Sequence, residues 1–305
     1  MGKFLDFIFL TFLIAIVLTA SYFLYLNVPT SAIDLTFSKD PSGIEIPLSN
    51  NIQFYPAMRY PNRIITYQMK DSCSSDRKLD AQKALSQIRQ RTVLTFELVH
   101  NDPELTIECS KNSTKQPENE DHFIAGEGGP TKVINTTRYA VILEGSVSFF
   151  KEESCDSPIV AIHEILHALG FDHTSDKSSI MYPISKCDQV LKNSITNTID
   201  ELYSQPGYAD LVVTEIKATK SGRYVDFNIS IYNSGLLDVK EANLIVLGNQ
   251  REIKSFELGE IKIGSTKFLS VTNLAGPRTF SELNFNVTTT QEEIDKSNNL
   301  VSLTV

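Results

Sequence analysis

The chain has 305 residues, of which 41% are apolar and 21% charged, so it can bury a sizeable core and form two domains, and it is not a disordered protein. Its net charge of −9 is spread along the chain rather than gathered into blocks. That distribution excludes a nucleic-acid partner as the natural reading and speaks of solubility more than of any substrate.

Residues 7–26, FIFLTFLIAIVLTASYFLYL, form one apolar stretch of 20 residues, long enough to span a bilayer as a helix. Lys3 lies on its amino-terminal side and Asp6 offsets it; keeping that charge in the cytoplasm exports the rest of the chain. The alternative is a signal peptide cleaved after Thr30-Ser31-Ala32 and a secreted product. The apolar run is longer than a usual signal core, so residues 1–28 are expected to be an uncleaved, single-pass anchor in the cell membrane, with the bulk of the chain outside. Residues 29–60 carry Pro29, Pro41, Pro47 and Pro56 with few periodic apolar positions, which predicts a stalk.

From Arg63 the pattern is α/β. A strand at RIITYQM precedes a helix from about Asp76 to Arg91, capped by Ser74 or Ser75, with Ala81, Ala84, Leu85 and Ile88 on one apolar face. Short strands are predicted at 93–99 and 104–110 and an apolar segment at 139–143. GEGGP at 126–130 lacks the Gly-Lys-Ser/Thr of a phosphate loop and is expected to be a flexible loop. The four cysteines, Cys73, Cys109, Cys155 and Cys187, are even in number and fit no zinc-knuckle spacing, so disulfides are expected, with three connectivities open. Glycosylation sequons stand at Asn112, Asn135, Asn228 and Asn286.

The richest run is HEILHALGFDH, residues 163–173. His163 and His167 are four apart, so on a helix both imidazoles leave one face and grip one metal ion. Gly170 tolerates positive φ, ends the helix and lets the chain return His173 as a third ligand, leaving a fourth position open for water. Glu164 is outside the ligand set and is free to take a proton as general base. Ser157 is expected to cap this helix with Pro158 in its first position, and Ile159, Ile162, Leu166 and Leu169 to form its apolar face. After SSIMYP at 178–183, a capping box from Thr198 to Glu201 predicts a short closing helix at TIDELY. Near Gln205-Pro206-Gly207 the character changes. Short alternating runs follow, as in YVDFNISIYNSG, where Val225, Phe227, Ile229 and Ile231 face one way, the pattern of a sandwich strand with one wet face.

The zinc-type motif together with Met181 resembles the metzincin peptidases, closest to the matrixin branch, because Tyr182 follows the methionine directly and Pro183 occupies the position of the astacin tyrosine. The resemblance covers residues 61–206. It implies one catalytic Zn2+ held by His163, His167 and His173, Glu164 as base, Met181 as an apolar floor that is not a ligand, and Tyr182 and Pro183 in the wall of a substrate pocket. It further implies a twisted sheet over an active helix, with the first and third strands adjacent and parallel; that topology pairs Cys73 with Cys109 and Cys155 with Cys187. The calcium and structural-zinc sites common in the family are not carried over, since only His100 and His122 remain to serve them. Residues 29–60 hold no cysteine to occupy the open metal position, so latency by that route is not supported. DLVVTEI, the NSG turn at 233–235 and EEIDKSNN at 292–299 resemble the CARDB family of immunoglobulin-like surface domains, implying an all-β sandwich over 207–305 that positions the enzyme or binds a surface ligand. The expected whole is an α+β protein: a membrane-anchored zinc metalloendopeptidase acting on protein or peptide substrates. A surface binding or adhesion protein with an inactive zinc domain is the rival, and the intact Glu164 opposes it.

Overall fold

The computed structural model describes residues 2–27, 31–40, 52–110, 125–152 and 155–305. Asn112 and His122 lie outside the described residues. The chain opens with α1 (Gly2–Asn27), a helix exposed over residues 6–25 and apolar enough over Asp6–Leu26 to cross a membrane, as a membrane anchor or signal sequence would be. The segment expected to be a stalk contains a strand, β1 (Ile33–Ser38).

The first folded layer is a sheet built from β2 (Met58–Arg59), β3 (Ile64–Met69), β4 (Thr95–Leu98), β5 (Leu105–Cys109), β6 (Gly126–Asn135) and β7 (Ala140–Phe149). Its order is β2-β7-β5-β3-β4, with parallel pairing throughout and β6 antiparallel along the other edge of β7. The helix α2 (Ser75–Arg91) crosses between β3 and β4, and the Ser74 hydroxyl caps it by accepting from the Arg77 N–H at 3.4 Å. Its buried face is Ala81, Ala84, Leu85 and Ile88. Burying Leu85 and Ile88 is worth roughly 1.5–3 kcal/mol each, which fixes a helix whose remaining surface is mostly charged.

Two more helices complete this unit, α3 (Ile159–Ala168) and α4 (Asn193–Leu202). α3 begins with Pro158 in the cap position and no side-chain cap; Ser157 offers only its carbonyl, to the Ile159 N–H. α4 starts earlier than the capping box suggested, because Asn193 to Thr196 already share its apolar register with Ile195 and Ile199. Thr198 lies mid-helix, with its hydroxyl bonded back to the Ser194 carbonyl at 2.8 Å. Cys73 and Cys109 emerge at one end of the adjacent strands β3 and β5, with Cα atoms 4.8 Å apart and sulfurs bonded. Cys155, ahead of α3, is bonded to Cys187, with Cα atoms 5.3 Å apart.

The remaining residues form two four-stranded antiparallel sheets. Their strands are β8 (Leu211–Ser221), β9 (Tyr224–Asn233), β10 (Val239–Gly248), β11 (Arg251–Ile261), β12 (Thr266–Ala275), β13 (Glu282–Thr289) and β14 (Leu300–Thr304), with orders β1-β8-β9-β12 and β11-β10-β13-β14. The inward residues of both sheets share one apolar cluster. Val225, Phe227, Ile229 and Ile231 supply β9's part of it, and Phe227 meets Phe285 of the other sheet edge to face at 5.0 Å. β1 joins this sandwich at its edge, antiparallel to β8 from Ile33↔Lys220 to Ser38↔Glu215, and packs Leu35 and Phe37 against the cluster.

Candidate active site

The helix α3 is apolar on nearly every side and therefore buried, including its polar members: His163, Glu164 and His167 are 5%, 7% and 7% exposed. Gly170 ends it at φ +95°, where its N–H bonds the His167 carbonyl at 2.9 Å and the Phe171 N–H bonds the Leu166 carbonyl at 3.0 Å. A side chain there would also strike Met58, whose sulfur lies 2.8 Å from the position a Cβ would take. The chain thus reverses at once and brings His173 beside the helical pair.

The three Nε2 atoms form a nearly equilateral triangle with separations of 3.0, 3.1 and 3.2 Å. Zinc–nitrogen bonds of about 2.0–2.1 Å at tetrahedral angles place ligand nitrogens about 3.3–3.4 Å apart, so this donor set fits one zinc ion with little movement. The other ring nitrogens are used to orient the donors. His163 Nδ1 donates to the Ile180 carbonyl at 2.6 Å and His167 Nδ1 to the Phe171 carbonyl at 2.7 Å, which leaves both Nε2 lone pairs facing the centre. Burial, and to a lesser degree the neighbouring His173, push the His163 pKa down to about 4 against the opposing effect of the Ile180 bond. At neutral pH that imidazole is uncharged, as a ligand must be.

Met181 is buried at 1% exposure, and its carbonyl accepts from the Thr174 N–H at 2.9 Å, tying the methionine turn to the segment that carries His173. Ile180, one residue earlier, orients His163, so the turn supports the triad through its backbone. Tyr182 is half-buried and Pro183 exposed. A cavity of about 150 Å³ opens beside Met181, lined by Phe171, Asp172, Thr174, Asp176 and Lys192 among others, and neither Tyr182 nor Pro183 borders it.

GEGGP is not a loop. It opens β6, and its glycines are there for space: a Cβ on Gly126 would lie 2.7 Å from Glu164 Cγ, and one on Gly128 only 2.0 Å from the Glu164 carbonyl oxygen. Gly129, pointing the other way, would meet nothing within 4 Å. A strand therefore runs hard against the helix at the residue read as the base, and period-two glycine was the signal that betrayed it. A second neighbour was also unforeseen. The Phe54 N–H bonds the Gly170 carbonyl at 3.0 Å and its ring stacks on His167 with centroids 5.7 Å apart and planes inclined by 20°.

Two buried histidines and an exposed third, a glutamate one residue past the first of them and a methionine turn beside them converge in one place. Residues 59–204 match the matrixin family model. A search of curated proteins finds no match for the chain. The matched region thus runs from Arg59 of β2 to beyond α4 and takes in all three histidines, Glu164 and Met181, and the match supports a metallopeptidase, a hydrolase, whose family typically uses zinc.

Proposed function

We propose that this chain is a membrane-anchored metalloendopeptidase with its matrixin domain outside the cell, hydrolysing peptide bonds with Glu164 as general base. The observation that carries the reading is the Nε2 triangle of His163, His167 and His173 beside the buried Glu164. Zinc held there supplies Lewis acidity at the open face of the triangle. The rest of the work falls to the chain. A peptide in extended form can pair with the edge of β6 away from β7, beside the Glu164 that Gly126 and Gly128 approach. Glu164 takes the proton of the attacking water and passes it to the departing amine, so one carboxylate serves as base and then as acid. Its seat between α3 and β6 excludes bulk solvent.

The same reading makes α1 an uncleaved anchor and the C-terminal sandwich a CARDB-like, immunoglobulin-type module, supported by its antiparallel two-sheet build and by the NSG and EEIDKSNN segments. The test is cleavage of an unfolded protein by the full-length chain in detergent, with and without a chelator. Activity that a chelator removes and zinc restores is the expected result. No cleavage by zinc-loaded protein would turn the reading toward a surface-binding protein with an inactive matrixin domain.

A further inference from the structure

The sandwich meets the matrixin domain at the turn between β6 and β7. Arg138 projects from that turn and is about nine-tenths buried. Its Nε lies 3.0 Å from Oδ2 of Asp210, a carboxylate with no exposed surface, and its guanidinium lies 3.8 Å from Asp295. The sandwich has built a receptor for this one cation. Ser234 donates its hydroxyl to the same Asp210 oxygen at 2.5 Å, and the Asn298 amide donates to the other at 3.1 Å. Glu293 accepts from the Leu211 N–H at 2.9 Å and the Asn299 amide at 2.8 Å, fixing the EEIDKSNN segment around the site. A buried carboxylate is costly without an opposite charge and hydrogen bonds; for Asp210 the hydrogen bonds come from its own domain, from Ser234 and Asn298, and the charge comes from Arg138 of the other.

Apolar contacts surround the ion pair. Leu236 and Ile263 of the sandwich are buried in the core cluster of the matrixin domain, to which Tyr139 and Ile134 of the hairpin also belong. A Cβ on Gly264 would lie 2.6 Å from Ile134 Cγ2, so the sandwich backbone presses directly on β6. Thr136 closes the turn, its N–H bonding the Tyr139 carbonyl at 2.8 Å. β6 then runs from this clamp to Gly126 against Glu164, ten residues or roughly 30 Å at strand spacing, paired by backbone to β7 alone among the described strands.

We propose that Arg138 is a positioning residue: locked into Asp210 and Asp295, it lets the sandwich hold β6 in register over Glu164 from the far end of the hairpin. This makes the sandwich part of the cleavage unit rather than a spacer, and it rests on the matrixin domain being an active peptidase. The hairpin is a stiff two-stranded lever, so loosening its turn frees the strand that borders the base.

The test uses the full-length protein in detergent and compares Arg138→Gln, Asp210→Asn and the double variant, which replaces the ion pair with a neutral, hydrogen-bonding one. Amide exchange across Gly126–Asn135 is expected to accelerate at least tenfold in each single variant, with α2 unchanged. Zinc content stays at the wild-type level, kcat for a quenched fluorescent peptide falls about tenfold and KM moves less. The double variant, which strands no charge, recovers part of both losses. Wild-type exchange and kcat in Arg138→Gln overturn the proposal, as does acceleration of α2 and β6 alike, which would mean general loosening. If that variant does not accumulate, Arg138→Lys keeps the charge but not the planar fork; the same selective loosening of β6 is expected, and its absence overturns the proposal. An inactive wild type would refute the peptidase reading by itself, while the exchange comparison still decides whether Arg138 holds β6.

Discussion

Gly128→Ala tests the account of β6 most sharply. The added methyl would lie 2.0 Å from the Glu164 carbonyl oxygen, 2.7 Å from its carbonyl carbon and 2.9 Å from its Cα. Carbon and oxygen approach to about 3.3 Å at closest in comfortable contact, so strand and helix must part by about 1.3 Å. All three obstacles are backbone, and no rotamer change relieves them. Overpacking of this kind costs about 1–3 kcal/mol, or a melting temperature lower by roughly 2–12 °C for a domain of this size. Displacing a base by about 1 Å lowers the rate of reaction ~10²-fold. Gly129→Ala is the internal control: its methyl meets nothing within 4 Å, and neither glycine has positive φ, so stability should hold within about 1 kcal/mol of the wild type. The assay is thermal melting, zinc content and kcat/KM for both variants of the full chain. If Gly128→Ala melts and cleaves like Gly129→Ala, β6 does not press on the helix and the reasoning fails.

Glu164→Ala should keep about one zinc per chain yet lose activity ~10²-fold or more, and metal analysis that finds the zinc gone with it would show Glu164 to be a structural or ligand residue. His167→Ala removes one corner of the triangle and should lose zinc affinity together with activity; undiminished zinc would refute the ligand assignment. Replacing Cys73 and Cys109 by Ala opens a loop of 36 residues, for which the chain-entropy estimate gives about 4 kcal/mol; the matrixin domain should melt earlier in calorimetry while the sandwich transition stays put. Protease added to intact cells should reach the bulk of the chain with α1 still in the membrane fraction, whereas a released product beginning near Ile33 would identify a signal peptide.

How far these features are legible from residue order depends on whether their cause is local. The metal site is written within eleven residues, since ligand spacing, helix period and the turn at Gly170 are all set by near neighbours. The apolar face of α2 and the alternation of β9 are legible for the same reason. The pairing of Cys73 with Cys109 is different: it depends on β3 lying beside β5, and only a known topology supplies that. β6 misleads because glycine lowers strand propensity, while the reason for the glycines, a helix more than thirty residues later, is invisible locally. β1 is hidden by the prolines around it, and its partner lies in β8. Ser157 and Thr198 fit capping patterns, yet the helices take their ends from tertiary packing. Arg138 carries no sequence signal at all, since its meaning lies in Asp210 of the other domain.

β1 joins the sandwich before the chain enters the matrixin domain, and the chain returns to the same sheet at β8. Cutting the polypeptide between Asp40 and Ile52 would therefore sever the covalent route to α1 without freeing the enzyme. Six register pairs, the Lys39 N–H to Thr214 carbonyl bond at 2.9 Å and the Thr219 hydroxyl on Asp34 at 2.7 Å would still fasten the clipped stub to the sandwich. If α1 is the anchor proposed above, a nicked molecule would stay on its tether until that strand peels away, and release would be governed by the unzipping of one edge strand and not by proteolysis alone.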